Sequence, residues 1–360
     1  MTRGRPGRAP QEAAAGRLPD IPRFARVNTL KTTLGKVIKK LRQENYLLVD
    51  QGAHFPNQGR RATKSDLHIP DLLLFQHKKS NLSNLSIVQD HELIIQQKAS
   101  CFPAIALAPP PGCIAIDGCA APGNKTSHIA ALMNNVGEVH AFERDQRRCR
   151  LLADMMERKG ASCVTTHRAD FLDIDPMDAT FSRATHILLD PSCSSSGMAS
   201  LPIQNPDEIR TLAENQVLLL LHAMRFPKAQ VVVYSTCSIY EQENEQVVAK
   251  VLAAQEDFEL EPTLEWWPRR GHPGFCHEAC VARCAYPDDD TIGFFVARFV
   301  RRSVAGKVDV NVDLAKKLEL LAKARERRQK RKFSVDEKIA SDVPAWRVAR
   351  DSKKRRKKMK

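Results

Sequence analysis

Asp117-Gly-Cys-Ala-Ala-Pro-Gly-Asn-Lys-Thr126 is the stretch whose reading decides the fold. It follows the apolar run 113–116 and precedes apolar residues at helical spacing, Ile129, Leu132 and Met133. A strand, a turn of small residues and a helix N-terminus are how an open α/β sheet holds a nucleotide-like ligand. The small side chains let a ligand approach the backbone, and the helix start favours a carboxylate or phosphate. G-x-G-x-x-G is absent, so the pyrophosphate of a nucleotide-cofactor oxidoreductase is a poor fit.

Working outward, the rhythm is strand then helix. Strands are predicted at 138–142, 162–166, 185–189 and 230–234, with helices at 147–159, 206–226 and 241–254. Runs at 258–264 and 293–299 complete the set. The expected fold is a doubly wound, mainly parallel seven-stranded α/β sheet over residues 96–300. Upstream, residues 21–95 read as a small α+β unit with a helix at 36–48. A second helix at 97–107, closed by Pro109-Pro-Pro111, leads into the sheet. Residues 1–20 are Arg-, Gly- and Ala-rich without an apolar core and are expected to be disordered. Residues 309–332 have helical spacing with too little apolar surface for a core of their own.

Charge is placed unevenly along the 360 residues. The net charge is +14, and residues 301–360 hold 22 Lys+Arg against 8 Asp+Glu. The rest of the chain is therefore neutral, and the excess lies in a tail ending Lys353-Lys-Arg-Arg-Lys-Lys-Met-Lys360. Such a run reads as a nucleic-acid contact or a nuclear import signal. No secretory signal precedes the ten cysteines, and no apolar run reaches membrane-spanning length. A reducing compartment with free thiols is expected, and no membrane partner.

Two carboxylates follow the next strands. Glu143 is placed to accept hydrogen bonds from a ribose, and Asp170 to take a ring amino group. An amino-acid carboxylate at the helix start, a ribose and an adenine together describe S-adenosylmethionine. Cys193, in Asp190-Pro-Ser-Cys193, and Cys237, in Tyr234-Ser-Thr-Cys-Ser238, each lie just past a strand. Parallel strands would carry both thiols and Asp190 to one rim. One reaction class needs such a set. Carbon 5 of cytosine takes a methyl group only after a thiolate adds to carbon 6. An acid at ring nitrogen 3 favours that addition. The residues themselves leave open which cysteine is the nucleophile. Cys101, Cys113, Cys149 and Cys163 read as small buried hydrophobes. Cys276, Cys280 and Cys284, near His272 and His277, match no common zinc spacing, so no metal is expected. Trp266-Trp267 is expected to pack against the sheet.

These motifs resemble the Sun-domain (RsmB/RsmF-like) RNA cytosine-carbon-5 methyltransferases over about residues 21–300. The matching stretches are the 117–126 loop, Leu189-Asp-Pro-Ser-Cys193 and Ser235-Thr-Cys-Ser238. Arg26-Val-Asn-Thr-Leu-Lys31 is similar to the family's N-terminal RNA-contact motif, and Gly293-Phe-Phe-Val296 to its last strand. Within the family, the branch acting on large-subunit ribosomal RNA in the nucleolus is the most similar. The resemblance implies Cys237 as nucleophile, Cys193 assisting breakdown of the covalent adduct, and Asp190 contacting the cytosine beside the cofactor. It further implies that Cys119, Ala120, Ala121, Pro122, Gly123, Asn124 and Lys125 wrap the methionine end. Glu143 would then hold the ribose, Arg148 support the loop and Asp170 lie near the adenine. A monomer acting on RNA in the nucleus is expected, with residues 21–95 as an RNA-contact unit. Departures from the family pattern are Glu143 for Asp, Gln97 for Asp, and Ser195 where Gly is usual. Ser195 would be strained if its backbone needs φ > 0, and could misplace Cys193. The few residues before Arg26 suggest an incomplete RNA platform. A ribosome-assembly factor that has lost turnover is the alternative.

Overall fold

The upstream unit is built from short runs whose inward residues share one apolar core. In the computed structural model the described residues are 21–56, 61–76, 81–198, 203–272, 274–275, 282–284 and 289–302. Strands β1 (Arg23–Val27), β2 (Tyr46–Leu48), β3 (Arg61–Ser65), β4 (Leu72–Phe75) and β5 (Leu93–Ile95) form a sheet in the order β2-β3-β4-β1-β5. Helix α1 (Leu34–Gln43) buries Val37 and Leu41 in a cluster with Ala25, Tyr46 and Phe75, and the short α2 (Ser86–Gln89) follows. The helix expected at 36–48 therefore stops early. Asn45 takes a φ of +62°, and Tyr46–Leu48 turns back to pair in parallel with β3. Asn tolerates this left-handed conformation better than most residues, which makes it a helix stop. The expectations for residues 1–20 and for the tail beyond 302 lie outside the described residues.

The second sheet follows the predicted alternation. Its elements are α3 (Lys98–Leu107), β6 (Ile114–Asp117), α4 (Asn124–Leu132), β7 (Glu138–Phe142), α5 (Gln146–Lys159), β8 (Val164–His167), β9 (His186–Leu189), α6 (Pro206–Met224), β10 (Val231–Thr236), α7 (Glu245–Ala254), β11 (Phe258–Glu261), β12 (Ala282–Cys284) and β13 (Phe294–Arg301). The order is β11-β13-β10-β9-β6-β7-β8, with β12 adding to β13 outside that path of seven. Neighbours from β10 to β8 are parallel, while β13 runs antiparallel to β10 and β11. Strands β9 and β10 are buried throughout, as their nearly unbroken apolar runs require when both faces are covered. Trp267 packs inside and donates from Nε1 to Arg283 O (2.6 Å). Trp266 instead stays 40% exposed and stacks on His68. Cys284 is buried in β12, whereas Cys276, Cys280 and His277 lie outside the described residues.

One core runs across both sheets, joining Phe24 and Leu72 to Phe102, Ile129 and Val233. Arg26, 1% exposed, crosses the same boundary: Nε donates to Gln96 Oε1 (3.0 Å) and an NH2 group to Ser127 Oγ (3.1 Å). Asn28 Nδ2 donates to Lys159 O (2.8 Å), and Lys159 Nζ to Asn124 Oδ1 (2.8 Å) and Gly123 O (3.3 Å). In the motif expected to contact RNA, Arg26 and Asn28 thus face protein. Arg26 reaches the 117–126 loop directly at Asn124 O (3.5 Å), and Asn28 reaches it only through Lys159. Burial, with Arg26 adding, holds Lys159 down to about 7.

Two outcomes are expected. Arg26→Met keeps the volume but strands Gln96 Oε1 and Ser127 Oγ, so the urea midpoint should fall by the equivalent of about 2–4 kcal/mol. Lys159 is depressed in the folded chain, so its charge opposes folding fully below about pH 7. That opposition fades as pH rises toward the ordinary lysine value. Lys159→Met should therefore flatten any rise in Tm between pH 7 and 9, read by calorimetry.

Candidate active site

β6 ends in Asp117, whose buried carboxylate staples the strand to the next helix. Oδ2 accepts from Thr126 Oγ1 (2.7 Å) and Oδ1 from Cys119 N (3.4 Å). Burial first, then the charge of Asp190, pushes Asp117 up to about 6 against the Thr126 hydrogen bond. Ala120 N donates to Phe142 O (3.0 Å), tying the loop to the end of β7. Gly123 has φ +94°, and a Cβ there would meet Met156 Cε at 2.4 Å and Leu152 Cδ1 at 2.8 Å. The positive φ favours Gly here, and a side chain would also push the Met156 and Leu152 tips of α5 aside. The first-turn amides of α4 have no acceptor within their own helix, which makes them donors for an anion.

Glu143 follows β7 and is nearly buried; Oε1 accepts from Asp145 N (2.8 Å). Arg148 lies 3.2 Å from Oε2 and donates to Ala121 O (2.8 Å), so it ties that carboxylate to the loop. Asp170 follows β8 and accepts from Leu172 N (3.1 Å). All these carboxylates converge on Cys119. Burial first, then Asp117, Asp190, Asp170 and Glu143, pushes its thiol well above the ordinary range. Cys119 is therefore a neutral wall of the site and not a nucleophile.

Asp190 immediately follows β9. Its Oδ1 accepts from Ser235 Oγ (2.7 Å) and its Oδ2 pairs with Lys125 Nζ (2.7 Å), which also donates to Ser100 Oγ (3.1 Å). Burial works against the Lys125 charge, but Asp190 outweighs it and the ammonium is held above its usual range. Cys193 Sγ and Cys237 Sγ are 3.2 Å apart. The hydrogen bond from Cys193, with help from Ser195 and Lys125, brings Cys237 down to about 7 against burial and the charge of Asp190. The same hydrogen bond, with burial, pushes Cys193 up. The two sulfurs share one hydrogen bond, so a thiol on one stabilises a thiolate on the other, and the neighbouring groups favour the charge on Cys237. Ser195 does adopt φ +57°, yet the sulfur pair beside it is intact.

A buried polar network fixes both cysteine turns. Glu243 accepts from Ser194 N (2.9 Å), Ser194 Oγ (2.5 Å) and Gln216 Nε2 (3.1 Å). Ser238 Oγ lies 3.1 Å from the hydroxyls of both Ser194 and Ser196. Gly197 N donates to Cys237 O (2.8 Å), and Gly293 N to Gly197 O (2.8 Å). A Cβ on Gly197 would lie 2.2 Å from Gly293 O and 2.8 Å from Cys237 O, so three segments meet backbone to backbone.

Asp190, Cys193 and Cys237 are therefore brought together, with Lys125 joining them. Lys125, expected at the methionine end of the loop, directs its ammonium to Asp190. Asn124 likewise gives its side-chain oxygen to Lys159. Gln97 caps α3 through its backbone, and its side-chain oxygen has no hydrogen-bond partner among the described residues. Glu243, Gln216 and Asp117 were given no role in the sequence, and Arg26 was read only as part of an RNA-contact motif. Glu243 sits in an acidic, polar run, Glu241-Gln-Glu-Asn-Glu245, that reads as solvated surface.

Residues 104–300 match the family described as 16S rRNA methyltransferase RsmB/F. Residues 21–96 match the ferredoxin-like domain of NOL1/NOP2/Sun domain family member 5. The chain is 38% identical over 345 residues to a mouse protein named 28S rRNA (cytosine-C(5))-methyltransferase, covering 90% of this chain and 72% of that one. It is also 38% identical over 296 residues to the 25S rRNA (cytosine-C(5))-methyltransferase of Schizosaccharomyces pombe, covering 77% of this chain and 63% of that one. The crystal structure of a methyltransferase homologue from Pyrococcus horikoshii superposes with a TM-score of 0.66 at 27% identity, covering 79% of this chain and 88% of that one. With more than half of its length matched by the family and 38% identity to the mouse relative, the chain belongs to the RsmB/F family of Sun-domain methyltransferases.

Proposed function

We propose that this chain transfers a methyl group from S-adenosylmethionine to carbon 5 of a cytosine in large-subunit ribosomal RNA. The observation that carries the reading is the sulfur pair, 3.2 Å apart beside Asp190 at the rim of the small-residue loop. The mouse and fission-yeast relatives named for large-subunit rRNA support the substrate. Such a substrate, together with the basic tail, supports work in the nucleolus, with RNA as partner to a monomer.

The donor set fits the cofactor. The α4 first-turn amides suit an amino-acid carboxylate, Glu143 the ribose hydroxyls and Asp170 the adenine amino group. Cys119 through Gly123 offer a wall of small side chains, and Arg148 holds that wall to Glu143. When bound, S-adenosylmethionine supplies an electrophilic methyl group.

The residues of the chain do the rest. Cys237 thiolate attacks carbon 6 of the cytosine, forming a carbon–sulfur bond and moving electron density to carbon 5. Negative charge collects at ring nitrogen 3 as carbon 6 is attacked; Asp190 stands at that edge to pass a proton to it, and the Lys125 ammonium paired with Asp190 is the source of that proton and offsets the charge. After methylation the carbon 5 proton passes to a solvent water, its bonding pair restores the carbon 5–carbon 6 double bond, and the carbon–sulfur bond breaks with its pair returning to Cys237. The Cys193 thiol then hydrogen-bonds the departing Cys237 sulfur, easing its release. A factor without turnover has no need of a lowered thiol held against a raised one. The absent Gly fingerprint argues likewise against an oxidoreductase.

With RNA containing 5-azacytidine, the wild-type chain should form an adduct stable in denaturant, and Cys237→Ala none. Cys193→Ala should accumulate an adduct on ordinary RNA, visible as a shifted band. If Cys193→Ala alone abolished every adduct, the two roles would be reversed. Adduct formation should fall about tenfold per pH unit below about 7 and level off above, because only the thiolate attacks. Gly197→Ala should lower adduct yield at least about tenfold, since the clash forces the Cys237 carbonyl to move.

A further inference from the structure

Ser194, Ser195 and Ser196 are consecutive but face different ways. The hydroxyls of Ser194 and Ser196 turn inward to Ser238, and that of Ser194 also to Glu243. Ser195 lies between them with φ +57°, a conformation that a residue with a Cβ rarely adopts. The turn is closed by main-chain bonds, Met198 N to Ser195 O (2.9 Å) and Gly197 N to Cys237 O (2.8 Å). Those bonds would form whatever side chain Ser195 carried. Its hydroxyl instead lies 3.7 Å from Cys237 Sγ and accepts from the thiol; once that sulfur loses its proton, the same contact can run only from hydroxyl to sulfur.

We propose that Ser195 is a further catalytic residue, whose hydroxyl donates to Cys237 Sγ and, with the Cys193 thiol, makes a two-donor cradle for the nucleophile. This rests on Cys237 being the attacking group. The charged groups that act on the same sulfur are Lys125, at the start of α4, and Asp190, at the end of β9, and they oppose each other. Ser195 adds a neutral donor with a directed hydrogen bond, which favours the charged sulfur over the thiol. The unfavourable backbone at Ser195 is thereby matched by a benefit at the reacting atom, as strained residues at functional sites often show.

The test uses the full chain without RNA or cofactor. Alkylation of Cys237 by iodoacetamide is followed from pH 5.5 to 9.5 by peptide mass spectrometry in wild type, Ser195→Ala and Ser195→Gly. Ala keeps the Cβ and the backbone strain, whereas Gly removes both, and neither has a hydroxyl. Both variants should move the alkylation midpoint up by about one unit, which slows the reaction about tenfold below it. Ser195→Gly should hold or raise Tm, which excludes unfolding as the cause. An unchanged midpoint in Ser195→Ala overturns the proposal. So does a shift in Ser195→Ala that Ser195→Gly lacks, since the backbone would then be responsible. Adduct formation on 5-azacytidine RNA, run in parallel, separates the two claims. No wild-type adduct removes the proposed function, while a normal adduct with unmoved midpoints removes only the role of Ser195.

Discussion

Strand β9 pairs in parallel with β6 on one side and β10 on the other, and the chemistry of the site hangs on that double pairing. Asp117 is opposite Leu188, and Leu189 is opposite Tyr234, so three strands end within a residue or two of one another. Parallel strands release their connections at the same edge. The small-residue loop, the Asp190–Cys193 turn and Cys237 therefore emerge side by side. A slip of one residue in either pairing would turn the following side chains to the opposite face and separate the sulfurs.

A buried hydrogen-bond network turns this coarse placement into a specific one. Glu243 is held by a main-chain amide, a hydroxyl and a side-chain amide. A buried carboxylate costs several kcal/mol unless its lone pairs are occupied, so it rigidifies whatever supplies the donors. Those donors are Ser194, in the Cys193 turn, and Gln216, on α6. The Gly197–Gly293 contact closes the same region from the other side, where backbone packing leaves no room for a side chain. Both thiols are thus held in place before any substrate arrives, and their different proton affinities follow from the hydrogen bond they share.

The upstream unit acts on the site through the loop. Arg26 and Lys159 are both deeply buried, Lys159 with its ammonium held down to about 7, and neither has a carboxylate among its hydrogen-bond partners. Their protons go to carbonyl, amide and hydroxyl oxygens around Gly123, Asn124 and Ser127. Electrostatic cost is thereby accepted at the boundary between the two sheets, and the return is a loop anchored from below.

Much of the second sheet was legible in the sequence because its signals are local. Strand β7 has the predicted bounds, α5 stops at Gly160, and the 117–126 loop lies between strand and helix as its small residues imply. The cysteines and Asp190 could be named because each directly follows an apolar run. The α1 boundary was missed because Tyr46–Leu48 prolongs an apolar pattern, and only the left-handed Asn45 and its pairing partner β3 end the helix. Glu243, Arg26 and the turned ammonium of Lys125 were illegible for a related reason: their partners lie tens of residues or more away along the chain. The sequence by itself determined the order of strands and helices and the chemical types at the rim, since periodicity and turn residues act over a few positions. Only the tertiary structure decided which groups surround each sulfur and what Ser195 faces, because those distances lie between segments that the sheet alone brings together.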